Sequence, residues 1–172
     1  MKRSENIKIG LVIGKFTQFH NGHMDLLNFA FTIVDKLFVV VYHSPDKTSI
    51  PLEERAQWIR SFFPHENMIV IEGWNAPNQH EDTPEVRRIQ EDYLGSVLSG
   101  VNLTHIISSE EYGDHLSKYF RIENVIYDMD RVKRPISSTM IRENFAVHSS
   151  QIPKEILERI KQDTSVRSKG KG

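Results

Sequence analysis

Residues 7–42 have the sequence IKIGLVIGKFTQFHNGHMDLLNFAFTIVDKLFVVVY, and this stretch determines the fold class. Its two ends, residues 7–13 and 36–42, are short apolar runs with too little alternation for half-exposed antiparallel strands, so we predict two buried strands. Between them, apolar residues recur at helical spacing at Met24, Leu27, Ala30, Phe31 and Val34. A strand, a helix and a strand in this order predict a βαβ unit of a parallel sheet.

The alternation of strands and helices continues to residue 161. We predict further strands at 67–72, 105–108 and 124–127, and helices at 52–62, 84–98, 114–120, 138–145 and 153–161. This alternation is typical of a doubly wound, Rossmann-like α/β fold, here with a parallel sheet of about five strands. In such a fold, ligands bind at the carboxyl ends of the strands.

The length of the chain, 172 residues, fits one domain. We expect residues 1–6 to be a short lead and residues 7–161 to form the single domain. Residues 162–172 are rich in Ser, Gly and Lys, so we expect them to be a flexible polar tail.

Composition excludes several classes of protein. The chain has 22 Lys and Arg against 23 Asp and Glu, so it has no excess of positive charge and we expect no nucleic acid partner. It contains no cysteine, which excludes a disulfide scaffold, a thiolate zinc site and a cysteine nucleophile. The first apolar run is too short for a signal peptide or a membrane span. We therefore expect a cytoplasmic protein without membrane contact. The sequence leaves open whether the protein forms a homo-oligomer.

The turn at residues 14–23, GKFTQFHNGH, joins the first strand to the first helix, where free backbone N–H groups and the helix dipole favour an anion. It matches neither the dinucleotide-binding fingerprint nor a P-loop. His20 and His23 are three residues apart, so both rings share one face of the helix, and Gly22 leaves room for close approach. With Lys15 they would surround a phosphate chain. A pair of surface histidines beside a helix cap is the alternative, and no metal site is expected because no further ligand has a suitable spacing.

Two short motifs carry a family resemblance. The sequence His20-Asn21-Gly22-His23 is similar to the H-x-G-H signature of the nucleotidyltransferase α/β superfamily, and residues 136–142, ISSTMIR, are similar to its second signature, I-S-S-T-x-I-R. Residues 14–16, 109–112 and 128–131 resemble the adenylyltransferase domain of NadR-type nicotinamide-nucleotide adenylyltransferases. The likeness covers about residues 7–160. Larger members of that family add a helix-turn-helix and a kinase, and we expect the transferase alone here.

The resemblance implies transfer of AMP from ATP to nicotinamide mononucleotide, which gives NAD and pyrophosphate. It implies that four residues are catalytic, namely His20, His23, Lys15 and Arg142. The residues that it implies for ATP binding are Gly14, Phe16, Thr17, Gly22, Ser137, Ser138, Thr139 and Asp130. Simple helix capping is the alternative for Ser138 and Thr139. Mg²⁺ is expected as a partner of the triphosphate rather than of a protein cage.

The acceptor would bind at Trp74, Asn75 and Tyr112. Trp74 would stack on the nicotinamide and Asn75 would pair with its carboxamide, although an aromatic just past a strand can also fill the core. Arg55 is left open between a structural ion pair and a substrate contact. Gln18 stands where the family often has Pro, and we expect this difference to change only the stiffness of the loop.

Other functions are compatible with the same signatures. Pantetheine-phosphate adenylyltransferases and cytidylyltransferases share them and differ in the acceptor pocket. A non-catalytic nucleotide sensor could keep the same fold, since fold does not imply activity.

Overall fold

A parallel sheet forms the centre of the protein in the computed structural model, which describes residues 6–79 and 81–166. Its five strands are β1 (Ile9–Gly14), β2 (Lys36–Tyr42), β3 (Met68–Gly73), β4 (His105–Ser108) and β5 (Glu123–Ile126). They lie in the order β3-β2-β1-β4-β5, and each neighbouring pair is parallel. The predicted doubly wound α/β fold is therefore confirmed.

The helices connect the strands as expected from the sequence periodicity. They are α1 (Asn21–Ile33), α2 (Leu52–Phe62), α3 (Pro84–Val97), α4 (Gly113–Phe120), α5 (Ser138–Glu143), α6 (Phe145–His148) and α7 (Lys154–Lys161), with a 3₁₀ turn at Ser149–Gln151 between the last two. For the helix predicted at 138–145, the predicted C-terminal end is wrong, because the helix ends at Glu143. Asn144 has a non-helical backbone and its side chain accepts a hydrogen bond from the Val147 N–H, so it ends α5 and begins α6.

Two apolar layers cover the sheet, one on each face. Val12 and Val39 point toward the layer that contains Leu27 of α1 and Ile59 of α2. Neighbouring strand residues point the other way, so that Leu11 packs with residues of α3 and α4 in the second layer. This two-sided burial explains why the strands have continuous apolar sequences rather than alternating ones.

The strand order creates a crevice beside β1. The chain passes from β1 through α1 to β2 on one side, and it later returns to place β4 on the other side of β1. Connections leave in opposite directions at this position, so the carboxyl ends of β1 and β4 border an open space. The turn at residues 14–23 lies directly at this crevice.

The end of the chain differs from the expected polar tail. Asp163 is only 2% exposed, and its carboxylate accepts hydrogen bonds from the Ser49 N–H at 2.9 Å and the Ser165 N–H at 3.0 Å. The prediction of a flexible segment is therefore wrong for residues 162–166, because buried hydrogen bonds hold them against the loop that precedes α2. Residues 167–172 of the predicted tail, and residues 1–5 of the predicted lead, lie outside the described residues.

Candidate active site

A cavity of about 470 Å³ opens at the carboxyl ends of β1 and β4. Its wall combines the turn after β1, the loop after β4 and the segment before α5. The predicted site residues in this wall are Gly14, Lys15, Phe16, Thr17, His20, Gly22, His23, Tyr112, Ser137, Ser138, Thr139 and Arg142. Two motifs that are more than one hundred residues apart in the sequence therefore meet at one cavity.

His20 and His23 form the N-terminal cap of α1. The Nδ1 atom of His20 accepts a hydrogen bond from the Gly22 N–H at 3.0 Å, and Nδ1 of His23 accepts one from the His20 N–H at 3.2 Å. The two rings stack with their centroids 3.8 Å apart. Because each Nδ1 is an acceptor, the ring proton of each neutral imidazole is on Nε2. Each ring thus has its N–H group on the nitrogen that the cap does not use.

Burial keeps both imidazoles neutral. His20 is 3% exposed, and burial, assisted by the positive charges of Arg131 and Arg134, lowers its pKa to about 3. Burial also holds the pKa of His23 well below its ordinary value, with further contributions from His20 and Arg131. The alternative of a pair of surface histidines beside a helix cap is right about the cap and wrong about the exposure, since His20 is buried and His23 is half-buried.

Gly22 and Phe16 hold the histidine rings in place. A Cβ atom added at Gly22 would lie 2.8 Å from Cε1 of His20 and 3.1 Å from Cγ2 of Ile136, so the space that the glycine leaves is filled by protein. The buried ring of Phe16 packs edge-on against His23, with centroids 4.9 Å apart. Both residues line the cavity, and both also determine where the imidazoles lie.

Arg142 and Lys15 give the cavity positive charge. Nη1 of Arg142 donates to Oε1 of Gln18 at 2.7 Å and to Oγ1 of Thr17 at 3.2 Å, while Nη2 donates to Oγ1 of Thr139 at 3.1 Å. Burial lowers the pKa of Lys15, and the nearby charges of Lys47 and Arg142 lower it further, against opposing effects from acidic neighbours. Cations that are partly withdrawn from water in this way favour an anionic ligand.

The hydroxyl groups at the start of α5 have partners within the protein. Oγ of Ser137 accepts from the Met140 N–H at 3.2 Å and caps the helix, and Oγ of Ser138 donates to the carbonyl oxygen of Gln18 at 3.2 Å. Tyr112 donates its hydroxyl to the carbonyl oxygen of Ile13 at 2.9 Å, and burial holds its pKa well above the ordinary value. These contacts attach α5 and the loop after β4 to the β1 turn.

Arg55 fits neither of the alternatives that the sequence left open. It is 1% exposed and donates to the carbonyl oxygens of Ile50, Tyr42 and Lys15. Burial lowers its pKa to about 10, and the charge of Asp163 acts in the opposite direction. Arg55 therefore fastens the turn after β1 to the end of β2 through backbone acceptors.

Three predicted site residues lie outside the cavity wall. Trp74 is 45% exposed, so it does not fill the core; its ring lies 4.9 Å from that of His43, and its Nε1 donates to Glu72. Asn75, with φ of 60°, and Asp130 are also exposed. These residues are not in contact with the cavity, although Pro77 and Gln79, from the same segment as Trp74, line it.

Other residues of the wall were not identified as site residues from the sequence. Asp128 accepts hydrogen bonds from the N–H groups of Val132, Lys133 and Arg134, and it shapes the loop before α5. Arg131 and Arg134 come from this loop, and Tyr42, Lys47 and Gln90 come from elsewhere in the chain. The motif at 128–131 pointed to this loop, but nothing in it distinguished Asp128 from Asp130.

The described part of the chain contains no group of three His, Cys, Asp or Glu side chains that could hold a metal ion. Binding of Mg²⁺ together with a triphosphate therefore stays a prediction. Within the same residues, no helix is long and apolar enough to cross a membrane.

The low pKa of His20 predicts acid sensitivity. The unfolded chain binds a proton near pH 6.5 whereas the folded chain does not until about pH 3, so stability should fall as the pH decreases below 6.5. Protonation of His20 in the unfolded chain should by itself lower the free energy of unfolding by about 2 kcal/mol between pH 7 and pH 5. Urea unfolding at both pH values measures this loss. His20→Asn, which keeps an N-cap acceptor, should lose less; equal losses in both proteins would contradict the neutral buried imidazole.

Comparison with known proteins gives relatives of two kinds. Phosphopantetheine adenylyltransferase from Streptococcus pneumoniae (strain Hungary19A-6) is 29% identical over 165 residues, covering 91% of this chain and 96% of the relative. The trifunctional NAD biosynthesis/regulator protein NadR from Salmonella typhimurium is 27% identical and is matched over 90% of this chain, which spans only 40% of that relative.

The fold is similar to that of a solved structure. A crystal structure of NadR protein in complex with NAD and AMP-PNP superposes with a TM-score of 0.64 at 24% identity, covering 88% of this chain and 46% of the other. The family model described as cytidylyltransferase-like matches residues 11–144, which include the histidine pair, Arg142 and all five strands except the first residues of β1. Since this match extends over well more than half of the sequence, the chain belongs to the cytidylyltransferase-like family.

Proposed function

We propose that this protein is a nicotinamide-nucleotide adenylyltransferase, which transfers AMP from ATP to nicotinamide mononucleotide and releases pyrophosphate. The observation that carries the proposal is the stacked pair His20 and His23, whose N–H groups are on Nε2, beside Lys15 and Arg142 in one cavity. Relatives named as an adenylyltransferase and as an NAD biosynthesis protein support it.

The reaction needs alignment and charge stabilisation more than proton transfer. The phosphate of the mononucleotide is already ionised at neutral pH, so one of its oxygens can attack the α-phosphorus of ATP without a general base. The new O–P bond forms as the bond from the α-phosphorus to the bridging oxygen breaks, and pyrophosphate leaves with that electron pair. Groups that stabilise the phosphoryl oxygens in this transition state supply the rate enhancement.

The histidine pair is suited to such stabilisation. Because their pKa values are low, His20 and His23 stay neutral and donate hydrogen bonds without losing or gaining a proton. The cap bonds hold both rings before substrate arrives, so little reorganisation is needed during the reaction. Lys15 and Arg142 balance the negative charge of the polyphosphate, and Mg²⁺ bound to ATP would share that role.

Trp74 is the proposed stacking partner for the base of nicotinamide mononucleotide. It follows β3 at the same sheet edge as the cavity, and its carbonyl oxygen accepts a hydrogen bond at 2.8 Å from Tyr93. The ring of Tyr93 packs against that of Tyr42, a residue of the cavity wall, with centroids 5.7 Å apart. This contact places the backbone of Trp74 one layer of side chains beyond the wall, and its exposed indole offers a face on which a planar base could stack.

Phosphopantetheine is the second candidate acceptor. The observation that favours it is the match to phosphopantetheine adenylyltransferases over nearly their whole length. The phosphate-binding groups described above would serve either acceptor, so only the acceptor pocket separates the two activities.

An acceptor panel tests the proposed function. Pyrophosphate release is measured with ATP or CTP and with nicotinamide mononucleotide, phosphopantetheine or no acceptor. We expect release with ATP and nicotinamide mononucleotide, together with formation of NAD. Release with phosphopantetheine alone would establish the second candidate, release only with CTP would indicate a cytidylyltransferase, and ATP binding without turnover would indicate a sensor.

His23→Ala should lower kcat by about 10²–10³, because the lost donor acts on charge that grows in the transition state. Steady-state kinetics with ATP and nicotinamide mononucleotide measures the loss, and thermal unfolding checks that the variant is folded. His65→Ala is the matched control, since His65 is an exposed histidine outside the cavity. A folded His23→Ala protein with unchanged kcat would contradict the role of the ring.

Arg142→Lys should raise the KM for ATP about 10-fold or more and leave the KM for the acceptor nearly unchanged. A guanidinium can contact Gln18, Thr17 and Thr139 and still present N–H groups to an anion, whereas an ammonium has three donors on one atom. Initial rates at varied concentrations of each substrate separate the two constants. A higher KM for the acceptor alone would place Arg142 at the acceptor instead.

A further inference from the structure

Gln18 makes contacts that a proline at this position could not make. Its side chain is fully buried, and Oε1 accepts hydrogen bonds from Nη1 of Arg142 and from Oγ1 of Thr17, each at 2.7 Å. Its Nε2 donates to Oδ2 of Asp163 at 2.9 Å. The expectation that the difference from proline changes only loop stiffness is therefore wrong, because the amide bridges two charged side chains.

Asp163 is held as an anion under the turn. Burial acts to raise its pKa, but hydrogen bonds from Ser49, Thr48, Ser165 and Gln18 outweigh burial and leave the pKa below its ordinary value. The charge of this carboxylate favours the charged form of Arg142, whose own pKa is lowered by burial.

The order of these three groups leaves one orientation for the amide. An ionised carboxylate only accepts hydrogen bonds, and a guanidinium only donates them. A glutamine between them must therefore turn its NH₂ toward Asp163 and its carbonyl oxygen toward Arg142, which is the arrangement observed. Three contacts to protein still leave N–H groups of the guanidinium for a ligand, since it has five.

We propose that Gln18 and Asp163 are positioning residues for Arg142. The carboxylate orients the amide and the amide holds the guanidinium at the cavity, so the segment after α7 sets the affinity of the site for the polyphosphate of ATP. This proposal rests on the proposed function in taking ATP as the nucleotide. It does not depend on the identity of the acceptor.

Calorimetric titration of the full chain with ATP and Mg²⁺, without acceptor, tests the proposal. Asp163→Asn and Gln18→Met should each weaken ATP binding about 10-fold, as expected when a hydrogen bond to a charged group is lost. Glu143→Gln is the matched control. Glu143 is exposed beside Arg142 and its charge also acts on that guanidinium, but it is not a member of the hydrogen-bonded chain, so its Kd should stay within about twofold of the unmodified protein.

A double-mutant cycle separates positioning from general destabilisation. In an Arg142→Ala background, Asp163→Asn should add less than about a twofold change in Kd, because the effect passes through the missing guanidinium. Equal weakening in both backgrounds, or an unchanged Kd in the single variants, would overturn the proposal. If Asp163→Asn does not fold, the same cycle with Gln18→Met decides between these outcomes.

The failure of this proposal is distinguishable from failure of the proposed function. ATP binding with the predicted pattern of Kd values, but without pyrophosphate release from nicotinamide mononucleotide, would overturn the function and support the positioning role. Pyrophosphate release from ATP and nicotinamide mononucleotide by the unmodified chain, with unchanged Kd values for ATP in the variants, would support the function and overturn the positioning role. Failure of the unmodified chain to bind ATP would overturn both.

Discussion

The cap at the N-terminus of α1 is the constraint on which the site depends. A helix begins with backbone N–H groups that have no partner within the helix, and here the Nδ1 atoms of His20 and His23 accept from two such groups in the turn. The bonds that begin the helix also determine which ring nitrogen carries the proton. Folding of this turn and preparation of the two N–H donors are therefore the same event.

Burial of this cap explains the chemical character of the site. A protonated histidine pair with centroids 3.8 Å apart would bring two positive charges together close to Arg131. The rings avoid that cost by staying neutral, and the permanent charge of the cavity is carried by lysine and arginine instead. In the proposed reaction, the histidines act as fixed dipoles while the cations attract the polyphosphate.

Positive groups in a partly buried cavity need support from the surrounding structure. Arg55 is supported by three backbone carbonyl groups, and Arg142 by the side chains of Gln18, Thr17 and Thr139. Asp163 places a negative charge behind both arginines. The rest of the cavity wall is built differently, with residues from the loops after β2, β3 and β4.

The sequence by itself determined the fold class and one half of the site. Apolar runs and helical spacing are local signals, and they predicted the parallel sheet and placed His20 and His23 after its first strand, whereas Arg142 was indicated by the resemblance of residues 136–142 to a family signature. The tertiary structure alone decided which side chains meet. Gln18 and Asp163 are 145 residues apart, and a polar residue after the last helix has the same local pattern as a solvated tail. It also decided that Trp74, Asn75 and Asp130 lie outside the cavity wall, because exposure depends on packing between elements, which local spacing does not describe.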